Sequence, residues 1–255
     1  MRGFYSVAAG IFTQQEHLNT IANNIANATT TGFKAQENIS TSFDEYVGLR
    51  MSNLNQHRLR EKIGTGAFMT VNIDETTDFT QGRISETGRS LDVAINGDGF
   101  FAIEEPSGNV VLSRNGQFEL DAEGNLMLKD VGYVLNDVLE RIQLSGDDFK
   151  IYGNGEIYEN GESVDLLAMV YPNEGVEIFK VGEELFSTGQ NQQDFTQMEE
   201  GTYQIVQGAL EKSNVDMTEQ LTNMIKSQRN FQSCAEVLRI YDSINELSAN
   251  QIGKL

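Results

Sequence analysis

The stretch Asn19–Lys34, NTIANNIANATTTGFK, decides how the rest of the chain is read. Asparagine is a poor helix former because its amide competes for backbone groups, yet Asn19, Asn23, Asn24 and Asn27 stand inside a helical pattern. Followed back toward the start, that pattern is unbroken: Phe4, Val7, Ile11, Leu18, Ile21, Ile25 and Ala28 step by three and four, with Gln14 in the missing place. This is the a/d seam of a coiled coil. It predicts a helix of about 25 residues, near 40 Å in length. Thr29, Thr30 and Thr31 weaken it, and Gly32 offers a left-handed C-terminal cap.

The four asparagines lie off that seam, on the b, f, g and c positions where a solvated coiled coil carries lysine and glutamate. Tyr5, Ala9 and Phe12 share this outer side. A helix with almost no charge, only Arg2 and Glu16, is expected to be packed on both faces. Amides then supply hydrogen bonds where a charge would be costly to desolvate. Asn19, Asn23, Asn24 and Asn27 are therefore expected at contacts between chains, with Gly32 and Phe33 beside them.

A second long helix is predicted at the other end. Asp216 followed by Glu219 makes a capping box, and Met217, Leu221, Met224, Phe231, Ala235 and Leu238 continue the three-four spacing with Gln228 in the seam. The stripe then drifts through Tyr241, Ile244 and Leu247, giving about 30 residues. Two long helices at opposite ends, with none between, have an obvious partner in each other. In a free chain they cannot bury both faces, so trypsin is expected to reach Lys34 and Lys212 at their roots.

The middle reads as β structure. Leu91, Val93 and Ile95 alternate with Asp92 and Ala94, and Asn96-Gly97-Asp98-Gly99 is a tight connection into Phe100–Glu104. Glu105–Gly108 turns into Val110–Arg114, Asn115-Gly116 reads as a two-residue hairpin turn, and Asp121–Gly124 closes the next pair. The expected fold is α+β: an N-terminal helical segment at 1–33, an extended connection at 34–75, a central antiparallel β domain at 76–207 and a C-terminal helical segment at 208–255.

Charge follows the same division. The chain of 255 residues carries a net charge of -20. The first 33 residues hold only Arg2 and Glu16, the segment from Gly208 onward is nearly balanced, and the part between has 12 basic against 31 acidic residues. Neutral ends and an acidic middle suit many copies lying side by side through their ends, because like charges in contact repel. The acidity argues against nucleic acid or an anionic membrane as partner. The basic cluster Arg58, Arg60 and Lys62 reads as a solvated turn.

No chemistry stands out. The longest apolar runs fall well short of the roughly 20 residues that cross a bilayer. Gln14, Gln15, Glu16 and His17 break the apolar start before a signal-peptide core could be completed, so the N-terminus is expected to be retained. One cysteine, Cys234, excludes an internal disulfide framework, and with two histidines it leaves little for a soft metal. Asp121-x-Glu123-x-Asn125 opens like a calcium loop, but Leu126 and Gly132 stand where glycine and glutamate are needed. Gly97-x-Gly99 and Gly153-x-Gly155 lack the third glycine and helix of a dinucleotide site. No Walker loop or nucleophile elbow occurs. No catalytic residue, metal, cofactor or small-molecule substrate is expected.

Three blocks carry a resemblance. Asn23-Asn24-Ile25-Ala26-Asn27 with Thr31-Gly32-Phe33-Lys34 resembles the N-terminal signature of the bacterial flagellar rod and hook family of axial proteins. Leu91–Phe101, with Asn96, Gly97, Gly99, Phe100 and Phe101 at its heart and Arg114–Phe118 downstream, is similar to the family's central β-domain motif. Gln207–Val215, leading into Met224-Ile225 and Gln228-Arg229, is similar to its C-terminal block.

The resemblance implies a subunit of the flagellar basal-body rod. Its terminal helices would pair as a coiled coil and pack with copies of itself and other rod or hook proteins into a tube that transmits torque and encloses the export channel. The β domain would stay outside, and secretion would use the flagellar type III export apparatus without a cleaved signal peptide. Its length sets it with the rod proteins rather than the larger hook protein. The segment after Gln228-Arg229 departs from the distal rod pattern, which favours the proximal type. The alternative is an oligomeric extracellular binding module on the same fold, which would need a concave polar cluster on its sheet.

Overall fold

The computed structural model describes residues 2–54, 57–146, 148–173, 175–189, 194–199 and 201–252, with backbone alone at 2, 41–74, 251 and 252. The chain forms two compact units, one of Met1–Ile25, Gln36–Thr76 and Met217–Leu255, the other of Ala26–Ala35 and Thr77–Asp216.

The first unit holds the long helices α1 (Arg2–Ala26) and α2 (Met217–Ile252), and the strands β1 (Gln36–Leu54) and β2 (His57–Thr77). The periodicity of Phe4–Ile25 accounts for α1, and its predicted length matches the 25 residues observed. α2 begins directly after Asp216, where the capping box places it, and runs 36 residues. Tyr241 stands against Gly3, its Cζ 3.1 Å from where a Cβ would lie, and Cys234 Sγ is 3.6 Å from the equivalent point on Gly10. Seven residues along α1 thus correspond to seven residues back along α2, which makes the helices antiparallel. The connection expected at 34–75 is a two-stranded sheet of β1 and β2.

The second unit is β. Its strands in chain order are β3 (Ile84–Glu86), β4 (Val93–Gly97), β5 (Phe100–Glu104), β6 (Val110–Ser113), β7 (Phe118–Leu120), β8 (Leu126–Leu128), β9 (Gly132–Val134), β10 (Phe149–Ile151), β11 (Glu156–Glu159), β12 (Glu162–Leu166), β13 (Met169–Pro172), β14 (Phe179–Lys180), β15 (Leu185–Ser187), β16 (Phe195–Gln197), β17 (Tyr203–Gln207) and β18 (Ala209–Glu211). The main sheet runs β14-β15-β6-β5-β9-β8-β7, with β13 joined to β5 and β16. β10-β11-β12 form a second sheet, and β17-β4 and β18-β3 two small ones. All these pairs are antiparallel.

Two expected turns hold. Gly108 N donates to Glu105 O at 2.8 Å between β5 and β6, and Gly124 N donates to Asp121 O at 3.2 Å between β7 and β8. Asn115-Gly116 is a correction: β6 pairs with β5 and β15, and β7 with β8, so no hairpin joins them. Gly116 lies flat against the β4 backbone instead, where Val93 N donates to Gly116 O at 3.0 Å and any Cβ would strike Val93 O. Likewise Asn96–Gly99 links two different sheets, β4 pairing with β17 rather than β5. The alternation read over Leu91–Ile95 is also corrected. Asp92 and Ala94 are buried as well, and the Asp92 carboxylate accepts from Thr87 Oγ1 at 2.7 Å.

Phe100 and Phe101 point to opposite faces, as period-two geometry requires. Phe101 enters the larger core, edge-on to Phe118 at 5.1 Å. Phe100 seeds a second core with Phe186 and Phe79, at 5.7 and 5.6 Å. Residues 208–216, expected to open the C-terminal helical segment, form β18 and a tie described next.

Candidate functional site

Chain connectivity places two segments at the foot of the β unit, Thr31–Ala35 after α1 and Ala209–Asn214 before α2. They are bound to each other. Gly32 N donates to Glu211 O at 2.9 Å, Thr31 bridges Lys212, and Ala35 N donates to the Asn214 side-chain oxygen at 2.8 Å. The Asn214 amide also donates to Asp78 O at 2.9 Å and Thr80 Oγ1 at 3.1 Å. Gly32 has a φ of 70°, as a left-handed cap would. α1, however, ends at Ala26, and Gly32 packs instead on the Arg114–Asn115 backbone, a contact that any Cβ would prevent.

At the centre is a buried ionic cluster. Lys34 Nζ donates to Glu211 Oε1 at 2.8 Å, with both side chains 1% exposed. The same ammonium donates to Thr80 O at 2.8 Å and Phe79 O at 3.4 Å. Glu211 Oε1 also accepts from Gly82 N at 2.8 Å, and Oε2 accepts from Arg114 Nη1 at 3.4 Å. Arg114 Nη1 donates to Gly97 O at 2.9 Å, and its guanidinium lies over the Phe100 ring at 5.1 Å. Burial lowers the Lys34 and Arg114 pKa values, while Glu211 opposes the shift in each. One carboxylate thus holds two cations, one from each of two distant segments. Such a cluster fixes register and geometry more than it adds stability.

Phe33 is fully buried. Lys180 Nζ stands 3.8 Å from the centre of its ring and donates to Lys34 O at 3.5 Å. Asn27 is buried too, and its Oδ1 accepts from Thr30 Oγ1 at 3.2 Å. In the first unit, Asn24 is buried and clasps the Gln36 backbone, its Nδ2 donating to Gln36 O at 2.8 Å and its Oδ1 accepting from Gln36 N at 3.0 Å. Of the six residues expected between chains, Asn24, Asn27, Gly32 and Phe33 are thus turned inward, and Asn19 and Asn23 are exposed. The Lys34 expected to meet trypsin is sealed in the cluster.

The helices differ from the β unit in what they leave uncovered. No residue of α2 whose side chain is described is buried. Among its exposed apolar residues are Met217, Leu221, Ile225, Val237, Ile240, Ile244 and Leu247; Met224, Phe231 and Leu238 are half-buried. On α1, Ile21 is buried, Val7, Ile11, Leu18 and Ile25 are half-buried, and Phe4, Tyr5 and Phe12 are exposed. Among the described residues no helix is long and apolar enough to cross a membrane, and no cluster of His, Cys, Asp and Glu could hold a metal.

The β unit is closed by a buried tie, and the two long helices carry uncovered apolar faces. Residues 8–34 match the flagella basal body rod protein family, 94–160 the flagellar hook protein FlgE/F/G D1 domain, and 206–252 the flagellar basal body rod FlgEFG protein C-terminal family. The flagellar basal-body rod protein FlgG of Buchnera aphidicola subsp. Schizaphis graminum is 30% identical over 92% of this chain and 94% of its own length. FlgG of Bacillus subtilis is 30% identical over 96% of each chain, and FlgF of Caulobacter vibrioides 29% identical over 95% of this chain and 93% of its own. The chain belongs to the flagellar basal-body rod protein family.

Lys34, Arg114 and Glu211 stand one in each of the three sequence blocks, and the fold brings the blocks together. The only mark they carry in the sequence is a charge within each block, and Asp92, Asp98 and Lys212 in the same blocks carry one as well. Nothing in local periodicity pairs residues 177 positions apart.

Proposed function

We propose that this chain is a rod subunit that assembles through α1 and α2, with copies of itself and neighbouring rod or hook proteins, into a tube around the export channel. The observation that carries this reading is α2: 36 residues of helix without a buried side chain among those described, and Ile225, Ile244 and Leu247 more than half exposed. Leaving several such half-exposed side chains in water forgoes roughly 1 kcal/mol each, about half the value for full burial, a cost that assembly removes. The antiparallel contact of Gly3 with Tyr241 and of Gly10 with Cys234 supports pairing of the two helices, at positions that neighbour Phe4, Ile11 and Ala235 of the seam read from sequence. The outer side of α1, where Glu16 is the one charged side chain among those described and Phe12 and Tyr5 are exposed beside Asn19 and Asn23, serves contacts between subunits. The function in this reading is mechanical, transmitting torque, and the kinship with rod proteins supports delivery by the flagellar type III export apparatus.

The test is the double substitution Asn19→Lys with Asn23→Lys. Both positions are exposed, unlike Asn24, so the single chain should fold as before. Thermal unfolding of the β unit should be unchanged and motility lost. Normal swimming by that variant would contradict the proposal.

A further inference from the structure

The β14–β15 hairpin crosses over the Phe33–Lys34 segment and is fastened at both ends. At one end Lys180 caps the Phe33 ring and donates to Lys34 O. At the other, the Glu184 carbonyl accepts from Ser113 Oγ at 2.9 Å, and the Glu184 carboxylate accepts from the Asn115 amide. Between them Val181 N donates to Leu185 O at 2.9 Å, which shapes the turn.

The fastening at Glu184 is unusual in its charge. The carboxyl is half-buried, yet among the described residues no cation forms an ion pair with it. Arg114, beside Asn115, is committed to Glu211 and Gly97 O, and Lys34 to Glu211 and Thr80 O. Lys180, on β14, faces Phe33. Among the described residues the remaining charged neighbour is Glu183, whose like charge adds to the cost of ionising Glu184. Among the described residues only the Asn115 hydrogen bond favours the ionised form, and burial, the largest influence, raises the Glu184 pKa above the usual carboxylate value.

We propose that the β14–β15 hairpin is a proton-sensitive strap over the segment that leads from α1, closed when Glu184 carries a proton and loosened when it is ionised. The protonated acid still accepts from Asn115 through its carbonyl oxygen, and it no longer places a charge without a cation in a half-buried niche or repels Glu183. Opening brings Glu184 into water, where it holds its proton less tightly. Opening therefore releases a proton and is favoured as pH rises through the closed-state value. An open strap withdraws Lys180 from the Phe33 ring and leaves that ring to water.

Hydrogen exchange of the full-length protein, read on peptides covering 179–187 between pH 5 and 8 and corrected for intrinsic exchange, tests this directly. Wild-type protection should fall with rising pH by up to about tenfold per unit, the limit for one released proton. Glu184→Gln should remain protected at every pH, and Lys180→Gln should lower protection by a constant factor without changing the slope. A Glu184→Gln protein with the wild-type slope would overturn the proposal. So would a carboxyl carbon resonance of Glu184 in the wild-type protein that titrates in the ordinary glutamate range, a readout independent of how the variants fold.

Discussion

Glu211 is the residue on which the junction depends most. Removing its charge orphans two buried cations at once, whereas removing Lys34 leaves the carboxylate with Arg114 and the Gly82 amide. Glu211→Gln should therefore cost about 3–5 kcal/mol, the range for breaking a buried pair from one side, and Lys34→Met clearly less. Urea unfolding of the two variants checks the order; equal losses would mean that Arg114 contributes nothing. Gly32→Ala meets both a φ of 70° and the Asn115 backbone. It should lose more than the roughly 1–2 kcal/mol of a left-handed alanine alone.

At the scale of elements, both helices were legible because each needs only its own neighbours, spaced three and four apart, to declare itself. The β5–β6 and β7–β8 hairpins were legible for the same reason, each closed by a local turn with a left-handed glycine. Asn115-Gly116 misled because an asparagine before a glycine has two uses. Here its side-chain oxygen accepts from Gln117 N at 3.0 Å, and its amide goes to Glu184. The pairings of β4 with β17 and β3 with β18 join segments more than 100 residues apart, for which the sequence holds no periodic signal. The exposed α2 also makes a prediction. Limited trypsin digestion of the free chain should cut first at Lys226, Arg229 and Arg239, all exposed on α2, and spare 77–216. Early cleavage after Lys34 would contradict the buried cluster.

Across the whole molecule, the acidic residues gather in the part that buries its own core, and the near-neutral ends carry the uncovered apolar faces. In the assembly proposed above, that separation would keep copies apart where they are charged and let them meet where they are not. Ile225→Glu with Ile244→Glu alters two residues already exposed in the single chain, so its free stability should change by no more than about 0.5 kcal/mol per site. The most direct measurement is quantitative mass spectrometry of purified basal bodies, counting this chain relative to its rod neighbours in wild-type cells and in cells carrying that double substitution. Assembly through the terminal helices predicts a stoichiometric chain in the wild type and its loss from basal bodies of the variant. A variant retained at the wild-type count, or a wild-type chain absent from basal bodies of cells that express it, would contradict the account.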